Sequence, residues 1–589
     1  MKQFFKFMLA SALGVIISVF LLFFLLAAVI GGIVSSANDD KHKTIEDNSV
    51  LMLKLDHMIA ERTSKNPFEQ FNFNTFESNK TTGLNDILKA IKGAKENDNI
   101  KGIYLNLSIS PNDYATLEAI RAELIDFKNS KKFIVAYGEL LEEHSYYLAS
   151  VADEIFLNPS GELLMDGFSS TTPYLKGMFN KLGIEPQLIR HGKFKSAGEP
   201  LIADKMSDAN REQTEAYLGS MYDNFVNAIA KSRKKTADEI KQMIDNLSIQ
   251  SPEDAKRLGM ITGVLFEDQV HDVLTKKVGV NKFDDIEMVS AAEVAQTVKG
   301  EPYSVKEKIA VIYCIGDIVS GKGDGQTMGS ITIVESLRKA KNDSNIKAVV
   351  LRINSPGGSA MASDVMWREV VLTKKVKPVI VSMGATAASG GYYIAAPADV
   401  IVAEQNTITG SIGVFALLVN AQKLIEEKLG VNMETVKFGQ YADMGTANRP
   451  LTKAEQAILQ KYIDRIYNDF ITKVAEGRKL TLQQVDSIAQ GRVWSGSDAK
   501  KIGLIDEFGG LNKAIQIAAK KVNLTEYRLS TFPEQKEPFE QFMESIGDEA
   551  STFMAKQKFG QHYEWYSQIT KLLKYEGMQM RMPTTIEIN

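Results

Sequence analysis

Residues that commonly build covalent or metal-bound sites are scarce in this sequence. Cys314 is the single cysteine among 589 residues, which excludes an intrachain disulfide and a cysteine-cluster metal site. The six histidines leave a wide gap, with none between His271 and His562. A catalytic site formed by this later part of the chain therefore needs a base other than a local histidine.

An excess of either charge is also absent. Lysine and arginine number 69, and aspartate and glutamate number 73, which gives a net charge of −4. Because nucleic-acid-binding surfaces need a basic excess, we expect no nucleic-acid partner. The hydrophobic fraction of 44% and the charged fraction of 24% are typical of globular proteins and exclude wholesale disorder. At about 150 residues per domain, the length predicts two to four domains.

One long apolar run lies near the start of the chain. Residues 7–34 contain no charge, and a helix of that length, at about 1.5 Å per residue, can cross a hydrocarbon core of about 30 Å. Lysines precede the run and aspartates follow it, which predicts a cytoplasmic N terminus and an exported body. A cleaved signal peptide is the alternative, although the run is about twice the usual length. We predict a transmembrane anchor at 1–38 that inserts residues 7–34 into the lipid bilayer.

A long-period repeat dominates the rest of the sequence. The stretch 87–102 matches 333–348 at an offset of 246 residues, and both have apolar residues at helical spacing. Likewise DAKRLGMI at 254–261 matches DAKKIGLI at 498–505. Each copy alternates β-branched runs with amphipathic stretches, which is typical of α/β domains. We therefore predict two tandem homologous α/β domains, at 39–304 and 305–531, followed by a tail at 532–589.

The two copies differ at a turn between a strand and a helix. In the second copy Ser389 precedes Gly390 and Gly391 there, and small neighbours leave the serine hydroxyl open to a substrate. The corresponding residue of the first copy is Glu143. The stretch SPGG at 355–358 differs in the same way, because Asn-Asp replaces its glycines in the first copy.

A lysine shows the opposite pattern. Lys195 of the first copy lies opposite Ala442 of the second, so the lysine and the serine occur in different copies. Such complementary loss is expected when two halves share one site. A desolvated lysine with a lowered pKa can take the proton of a serine, as in Ser–Lys dyads. Taken separately, each residue also fits a plain turn or a solvated lysine, and His191, His144 and Lys193 are alternative bases.

Four motifs resemble those of the long form of the signal peptide peptidase A family, also called protease IV: SPGG at 355–358, AASGGYY at 387–393, TGSIGV at 409–414 and GKFKSAGEP at 192–200. The resemblance extends over the N-terminal run, both copies and the tail. It implies a ClpP/crotonase-like α/β fold for the two copies. It also implies a membrane-anchored bacterial serine protease.

Residue by residue, the resemblance makes Ser389 the nucleophile and Lys195 the general base. Ser411 matches the family serine that hydrogen-bonds to the lysine and orients it. The backbone N–H groups of Gly358 and Gly390 would form the oxyanion hole. The resemblance implies neither a metal nor an organic cofactor.

The resemblance also implies a substrate and a location. The expected function is degradation of signal peptides that remain in the cytoplasmic membrane after their release from preproteins. The expected location is the bacterial inner membrane, with the catalytic body of a homotetramer on the periplasmic side. Two alternatives are a non-proteolytic crotonase-like acyl-thioester enzyme and an inactive membrane scaffold that binds exported segments without cutting them.

Overall fold

The computed structural model describes residues 44–64, 71–72, 77–78, 82–298, 300, 302–323, 327–535 and 578–582, with scattered helical positions between residues 3 and 21. The predicted membrane-spanning run at 7–34 lies for the most part outside these residues. Within the described part of the chain, no helix combines the length and the apolar content that a membrane crossing requires. Of the predicted tail, residues 532–535 and 578–582 are described.

The first copy contributes nine strands and ten helices among the described residues. Its strands are β1 (Ser49–Leu53), β2 (Phe71–Asn72), β3 (Glu77–Ser78), β4 (Ile100–Leu107), β5 (Phe133–Leu141), β6 (Glu154–Leu163), β7 (Glu185–His191), β8 (Gly263–Val264) and β9 (Glu287–Ser290). Its helices are α1 (Leu84–Glu96), α2 (Tyr114–Phe127), α3 (Glu143–Ala149), α4 (Lys176–Leu182), α5 (Glu199–Ile202), α6 (Asp208–Arg233), α7 (Ala237–Asp245), α8 (Pro252–Arg257), α9 (Glu267–Val278) and α10 (Ala291–Thr297).

The second copy and the tail supply the remaining described elements. The strands are β10 (Lys308–Ile315), β11 (Asp317–Val319), β12 (Thr327–Gly329), β13 (Ile346–Ser355), β14 (Gly357–Ser359), β15 (Val379–Ala388), β16 (Val400–Ala403), β17 (Ile408–Gly410), β18 (Val414–Asn420), β19 (Val493–Ser495), β20 (Glu507–Phe508), β21 (Arg528–Phe532) and β22 (Met578–Arg581). The helices are α11 (Ser330–Asn342), α12 (Ala360–Lys374), α13 (Gly390–Ala395), α14 (Lys453–Arg478), α15 (Leu482–Ile488), α16 (Gly496–Lys501) and α17 (Leu511–Lys521).

Each copy is built around its own parallel sheet. The first sheet has the order β8-β6-β5-β4-β1-β9, with all strands parallel. In the second sheet the parallel strands β20, β16, β15, β13, β10 and β21 follow one another in the equivalent order. Strand β17 also pairs with β15, and the antiparallel strand β19 pairs with β17. The helices cover the sheets, so central strands such as β10 (KIAVIYCI) are apolar along nearly their whole length.

The helices repeat along with the strands. Helices α6 and α14 are both 26 residues long and begin at a capped position, Ser207 in one copy and Thr452 in the other. Both end at a lysine in the left-handed conformation, Lys234 and Lys479. The expectation of two tandem α/β domains is therefore confirmed, whereas the proposed boundaries between them stay predictions.

A third, mixed sheet joins the two copies. Its order is β12-β11-β14-β22-β18-β7, so one strand comes from the first copy, four come from the second and one comes from the tail. Strand β7 pairs antiparallel with β18 over seven residues, from His191 opposite Val414 to Glu185 opposite Asn420. This pairing brings the segment that follows β7, including Lys195, onto the second copy.

Candidate active site

Ser389 lies at the carboxyl end of β15, where the chain turns directly into α13. Its backbone has φ 55° and ψ −114°, a conformation that costs free energy for a residue with a side chain. The turn is held because the Ser389 N–H donates to the Gly410 carbonyl at 2.8 Å. A strained turn between a strand and a helix presents the hydroxyl of a nucleophilic serine to a substrate.

Lys195 extends from the first copy to this turn and is fully buried. Its Nζ atom lies 2.8 Å from Ser389 Oγ, 2.9 Å from the Ser411 carbonyl oxygen and 3.0 Å from Ser411 Oγ. A neutral amine has two N–H groups and one lone pair. The two N–H groups can donate to the two Ser411 oxygens, which leaves the lone pair to accept the Ser389 O–H.

The environment of Lys195 favours that neutral form. Burial holds the pKa of Lys195 well below its ordinary value of 10.5, because an ammonium group without water loses its solvation. A lysine of this kind can remove a proton near neutral pH.

A short loop of the second copy fixes the lysine and its serine partner together. The Phe194 N–H donates to the Gln490 carbonyl at 2.9 Å, and the Ser411 N–H donates to the Arg492 carbonyl at 2.7 Å. Between them, Gly491 lies against Lys195, where a Cβ would be 2.6 Å from the lysine N and Cα atoms. Glycine is therefore required for this close approach.

Gly358 and Gly390 belong to two neighbouring segments of the second copy, and Gly390 directly follows Ser389. Gly358 in β14 has φ 155°, and a Cβ there would lie 2.2 Å from the Ile318 carbonyl oxygen. Gly390 is the first residue of α13, so its N–H lies among the unpaired donors at the start of that helix. A Cβ on Gly357 would lie 2.8 Å from the Gly390 nitrogen, so the two glycine segments are in close contact.

The three alternative bases, His191, His144 and Lys193, contact groups other than Ser389. His191 stacks on Tyr467 and contacts Asp464 through Nδ1 at 2.8 Å. His144 stacks on Tyr114 in the first copy. Lys193 is exposed, with its Nζ over the Phe194 ring. Among these basic residues and Lys195, only Lys195 has a described hydrogen bond to Ser389.

The sequence predicts five of these residues as members of one site: Ser389, Lys195, Ser411, Gly358 and Gly390. The structure brings them together. The loop at 490–492 and the placement of β22 beside β14 were not predicted. The loop contacts Lys195 and Ser411 through backbone atoms, so its residue types carry little signal in the sequence. Strand β22 has no counterpart in the repeat that could have marked it.

The chain also matches known proteins. The profile of Peptidase family S49 matches residues 126–281 and 372–525, together more than half of the chain. Protease 4 of Haemophilus influenzae is 36% identical over 519 residues, which are 86% of this chain and 84% of that protein. Serine protease SPPA, chloroplastic, of Arabidopsis thaliana is 37% identical over 446 residues, 74% of this chain and 66% of that protein.

A third relative is also a protease and is similar over most of the chain. Protease 4 of Salmonella typhi is 34% identical over 472 residues, 79% of this chain and 76% of that protein. The two separate profile matches agree with the two parallel sheets and their equivalent strand orders. The chain therefore belongs to peptidase family S49 and is a serine peptidase with two tandem S49 domains.

Proposed function

We propose that Ser389 and Lys195 form the catalytic dyad of a membrane-anchored serine endopeptidase. The observation that carries this proposal is the 2.8 Å contact between Lys195 Nζ and Ser389 Oγ, made by a lysine with no exposed surface. A serine hydroxyl is a weak nucleophile until a base takes its proton, and a neutral lysine supplies that base.

The proposed mechanism is acyl transfer. Lys195 takes the Ser389 proton while Oγ attacks the peptide carbonyl carbon, and the N–H groups of Gly358 and Gly390 stabilise the resulting oxyanion. Lys195 then gives the proton to the leaving amine, and water hydrolyses the acyl ester. Ser411 acts as a positioning residue, because its two oxygens fix the direction of the lysine N–H groups.

We further propose that the substrates are signal peptides left in the cytoplasmic membrane. The charge-free run at 7–34 supports an anchor in the inner membrane, with the catalytic body on the periplasmic side. Fourteen residues lie between residue 34 and Ser49 at the start of β1, a chain length that spans at most about 50 Å. The body would therefore stay close to the bilayer that contains the substrate.

We also propose a homotetramer, and an exposed apolar segment supports association between copies of the chain. Residues 431–438 of the second copy correspond by the repeat to β7 but form no strand. Val436 and Phe438 in this segment are 90% and 96% exposed. Large exposed apolar side chains close together are typical of surfaces that pack against a partner.

Membership of a serine peptidase family favours peptide hydrolysis over the two alternative functions, an acyl-thioester enzyme and an inactive scaffold. Labelling with a serine-directed fluorophosphonate tests the choice directly. We expect labelling at Ser389 in the wild-type chain and none in Ser389→Ala. Lys195→Ala should lower kcat/KM for a peptide by at least about 10³-fold, because removal of a dyad member leaves only the oxyanion hole and substrate binding.

His191→Ala and Lys193→Ala are the matched controls, because both side chains lie near Lys195 in sequence but contact other groups. Both variants should keep activity within a few-fold of wild type. The assignment of Lys195 as the base of the dyad is wrong if Lys195→Ala retains near-normal activity while His191→Ala abolishes activity.

The proposed substrate needs a separate measurement. The full-length chain is placed in lipid vesicles that contain a synthetic signal peptide, and cleavage is compared with that of a polar, water-soluble peptide of equal length. We expect faster cleavage of the signal peptide and none with Ser389→Ala. Equal rates for the two peptides would contradict the signal-peptide proposal but not the dyad.

A further inference from the structure

One buried glutamine joins the segment that contains Lys195 to the second copy. Gln213 lies in the second turn of α6 and is 1% exposed. Its Nε2 atom donates to the Phe194 carbonyl oxygen at 3.1 Å and to Ser196 Oγ at 2.9 Å, so it contacts the residues on both sides of Lys195. Its Oε1 atom accepts the Val493 N–H at 3.2 Å. The glutamine therefore bridges the two copies beside the lysine.

The partners of this amide fix its orientation. A backbone carbonyl only accepts and a backbone N–H only donates, so Nε2 must face Phe194 and Oε1 must face Val493. The side chain of Asn210, one turn earlier in α6, accepts from the same Nε2 through Oδ1 at 2.9 Å. Both polar atoms of the Gln213 side chain are thus paired inside the protein, as a buried amide requires.

The strand that Gln213 contacts also holds the serine side of the site. Val493 begins β19, which pairs with β17 and places Val493 opposite Gly410. The Gly410 carbonyl accepts the Ser389 N–H, and Gly410 directly precedes Ser411. One glutamine side chain therefore connects the backbone around Lys195 with the backbone that holds Ser389 and Ser411.

The repeat associates this glutamine with the lysine. Ser207 and Thr452 cap α6 and α14 at equivalent positions of the two copies. The sixth residue after the cap is Gln213 in the first copy and Ile458 in the second. The copy that lacks a lysine at the position of Lys195 thus also lacks the glutamine. Because a buried amide costs free energy unless it is paired, its presence in the lysine copy alone indicates a role tied to that copy.

We propose that Gln213 is a positioning residue, which keeps Lys195 Nζ in contact with Ser389 Oγ by tying the backbone around the lysine to the second copy. This proposal rests on the proposed dyad. Lys195 contacts Ser389 at the end of a four-carbon side chain, so a shift of its backbone moves Nζ away from the proton that it must take. A displacement of about 1 Å can lower a rate by about 10²-fold.

The test is Gln213→Met, which keeps the length of the side chain and adds no charge. We expect kcat/KM for a peptide and the rate constant of fluorophosphonate labelling at Ser389 to fall together by about 10²-fold, with KM unchanged. The acid limb of the pH profile of kcat/KM should also move to higher pH. A displaced Lys195 gains water, so its pKa rises towards the ordinary value of 10.5.

The substitution leaves the charges around the lysine segment in place. The charged or titratable side chains there are Arg190, His191, Lys193, Glu199, Glu212 and Arg492. A displaced acid limb therefore reports the hydration of Lys195 and not a change of charge nearby. A role of Gln213 in stability alone would leave the pH profile and the labelling rate constant of the folded protein unchanged.

Asn224→Leu is the matched control, because Asn224 is a second amide of α6 that links the copies. It lies about three turns further along the helix, where it donates to Asn406 Oδ1 at 3.0 Å and to Ser497 Oγ at 3.1 Å. The variant should lose stability and keep the kcat/KM, the labelling rate constant and the acid limb of wild type. Equal losses of activity in Asn224→Leu and Gln213→Met would make Gln213 a structural link and overturn its positioning role.

Ser196→Ala decides the question if Gln213→Met does not fold, because it removes one contact of the same amide. It should lower the labelling rate constant by about threefold or more. A folded variant of either kind with the labelling rate constant and pH profile of wild type overturns the positioning role and leaves the dyad standing. A wild-type chain that is not labelled at Ser389 contradicts the dyad itself, and the positioning role falls with it.

Discussion

The burial that suits Lys195 to its proposed catalytic role has a cost to stability. The side chain is buried among oxygen atoms that accept its N–H groups, and burial lowers its pKa. In the unfolded chain the same lysine is solvated and protonated up to about pH 10.5. Folding at any pH between the lowered folded-state pKa and about 10.5 therefore requires the loss of a proton, which makes the folded state less stable than it would be with an apolar residue there.

Replacement of Lys195 by methionine should reveal this cost as a pH dependence. The difference in unfolding free energy between Lys195→Met and wild type should grow by about 1.4 kcal/mol per pH unit as the pH falls from about 10.5 towards the folded-state pKa. Below that pKa the difference is constant, and above pH 10.5 the lysine contributes no such term. Chemical denaturation of both proteins at several pH values measures it. A difference that does not change with pH would show that Lys195 is protonated in the folded protein.

The contact between Ser389 and Lys195 could be predicted from sequence for a reason that does not extend to the surrounding residues. Ser389 and Lys195 carry reactive side chains, and the repeat shows each against a counterpart that lacks it. Gly491, by contrast, acts through the absence of a side chain. Its importance depends on the close approach of Lys195, which no local pattern in the sequence reveals.

At the scale of elements, Gly358 in β14 and Gly390 at the start of α13 offer backbone N–H groups and no side chains to the proposed site. The backbone of Gly358 has φ 155° and passes the Ile318 carbonyl oxygen too closely for a Cβ. The substitution Gly358→Ala must therefore displace β14 or β11. With the Gly358 N–H in its proposed role as an oxyanion donor, this displacement should lower kcat by about 10²-fold or more, because one lost donor costs that much in other hydrolases.

Gly219→Ala is the matched substitution for this experiment. Gly219 is in the interior of α6, and a Cβ there meets no atom within 4 Å. Alanine should stabilise that helix by up to about 1 kcal/mol and leave kcat unchanged. Steady-state kinetics and thermal unfolding of the two variants separate the effects. Equal kcat values for Gly358→Ala and wild type would exclude the Gly358 N–H from the oxyanion hole.

The elements also differ in how well the sequence predicted them. The parallel strands and their helices follow from apolar runs and helical spacing that occur twice, so the tandem α/β architecture was foreseen and is confirmed. Strand β22 is four residues long and pairs with strands more than 150 residues earlier in the chain. Pairing over such a separation depends on the shape of a groove that exists only in the folded molecule.

At the scale of the whole molecule, the proposed dyad depends on how the two copies are held together. The lysine belongs to one copy and the serine to the other, so a small rotation between them would separate Nζ from Oγ. A buried ion pair fixes this relation: Glu61 accepts from Arg352 Nε at 2.8 Å and from Nη2 at 3.2 Å. Glu118 adds a second link, because its carboxylate accepts from the backbone N–H groups of Gln405 and Asn406.

Removal of the Glu61 carboxylate should weaken both stability and catalysis. Glu61→Ala leaves the Arg352 charge buried without its partner, so the free energy of unfolding should fall by about 3–5 kcal/mol. Asp126→Ala is the control, because it breaks a pair with Lys95 of similar length at the surface and should cost less than about 1 kcal/mol.

Denaturant unfolding measures the stabilities, and kcat is compared at a temperature where both variants are folded. Because the dyad spans the copies, Glu61→Ala should lower kcat there while Asp126→Ala does not. If the two variants lose equal stability and keep equal kcat, the ion pair does not set the relation between the copies.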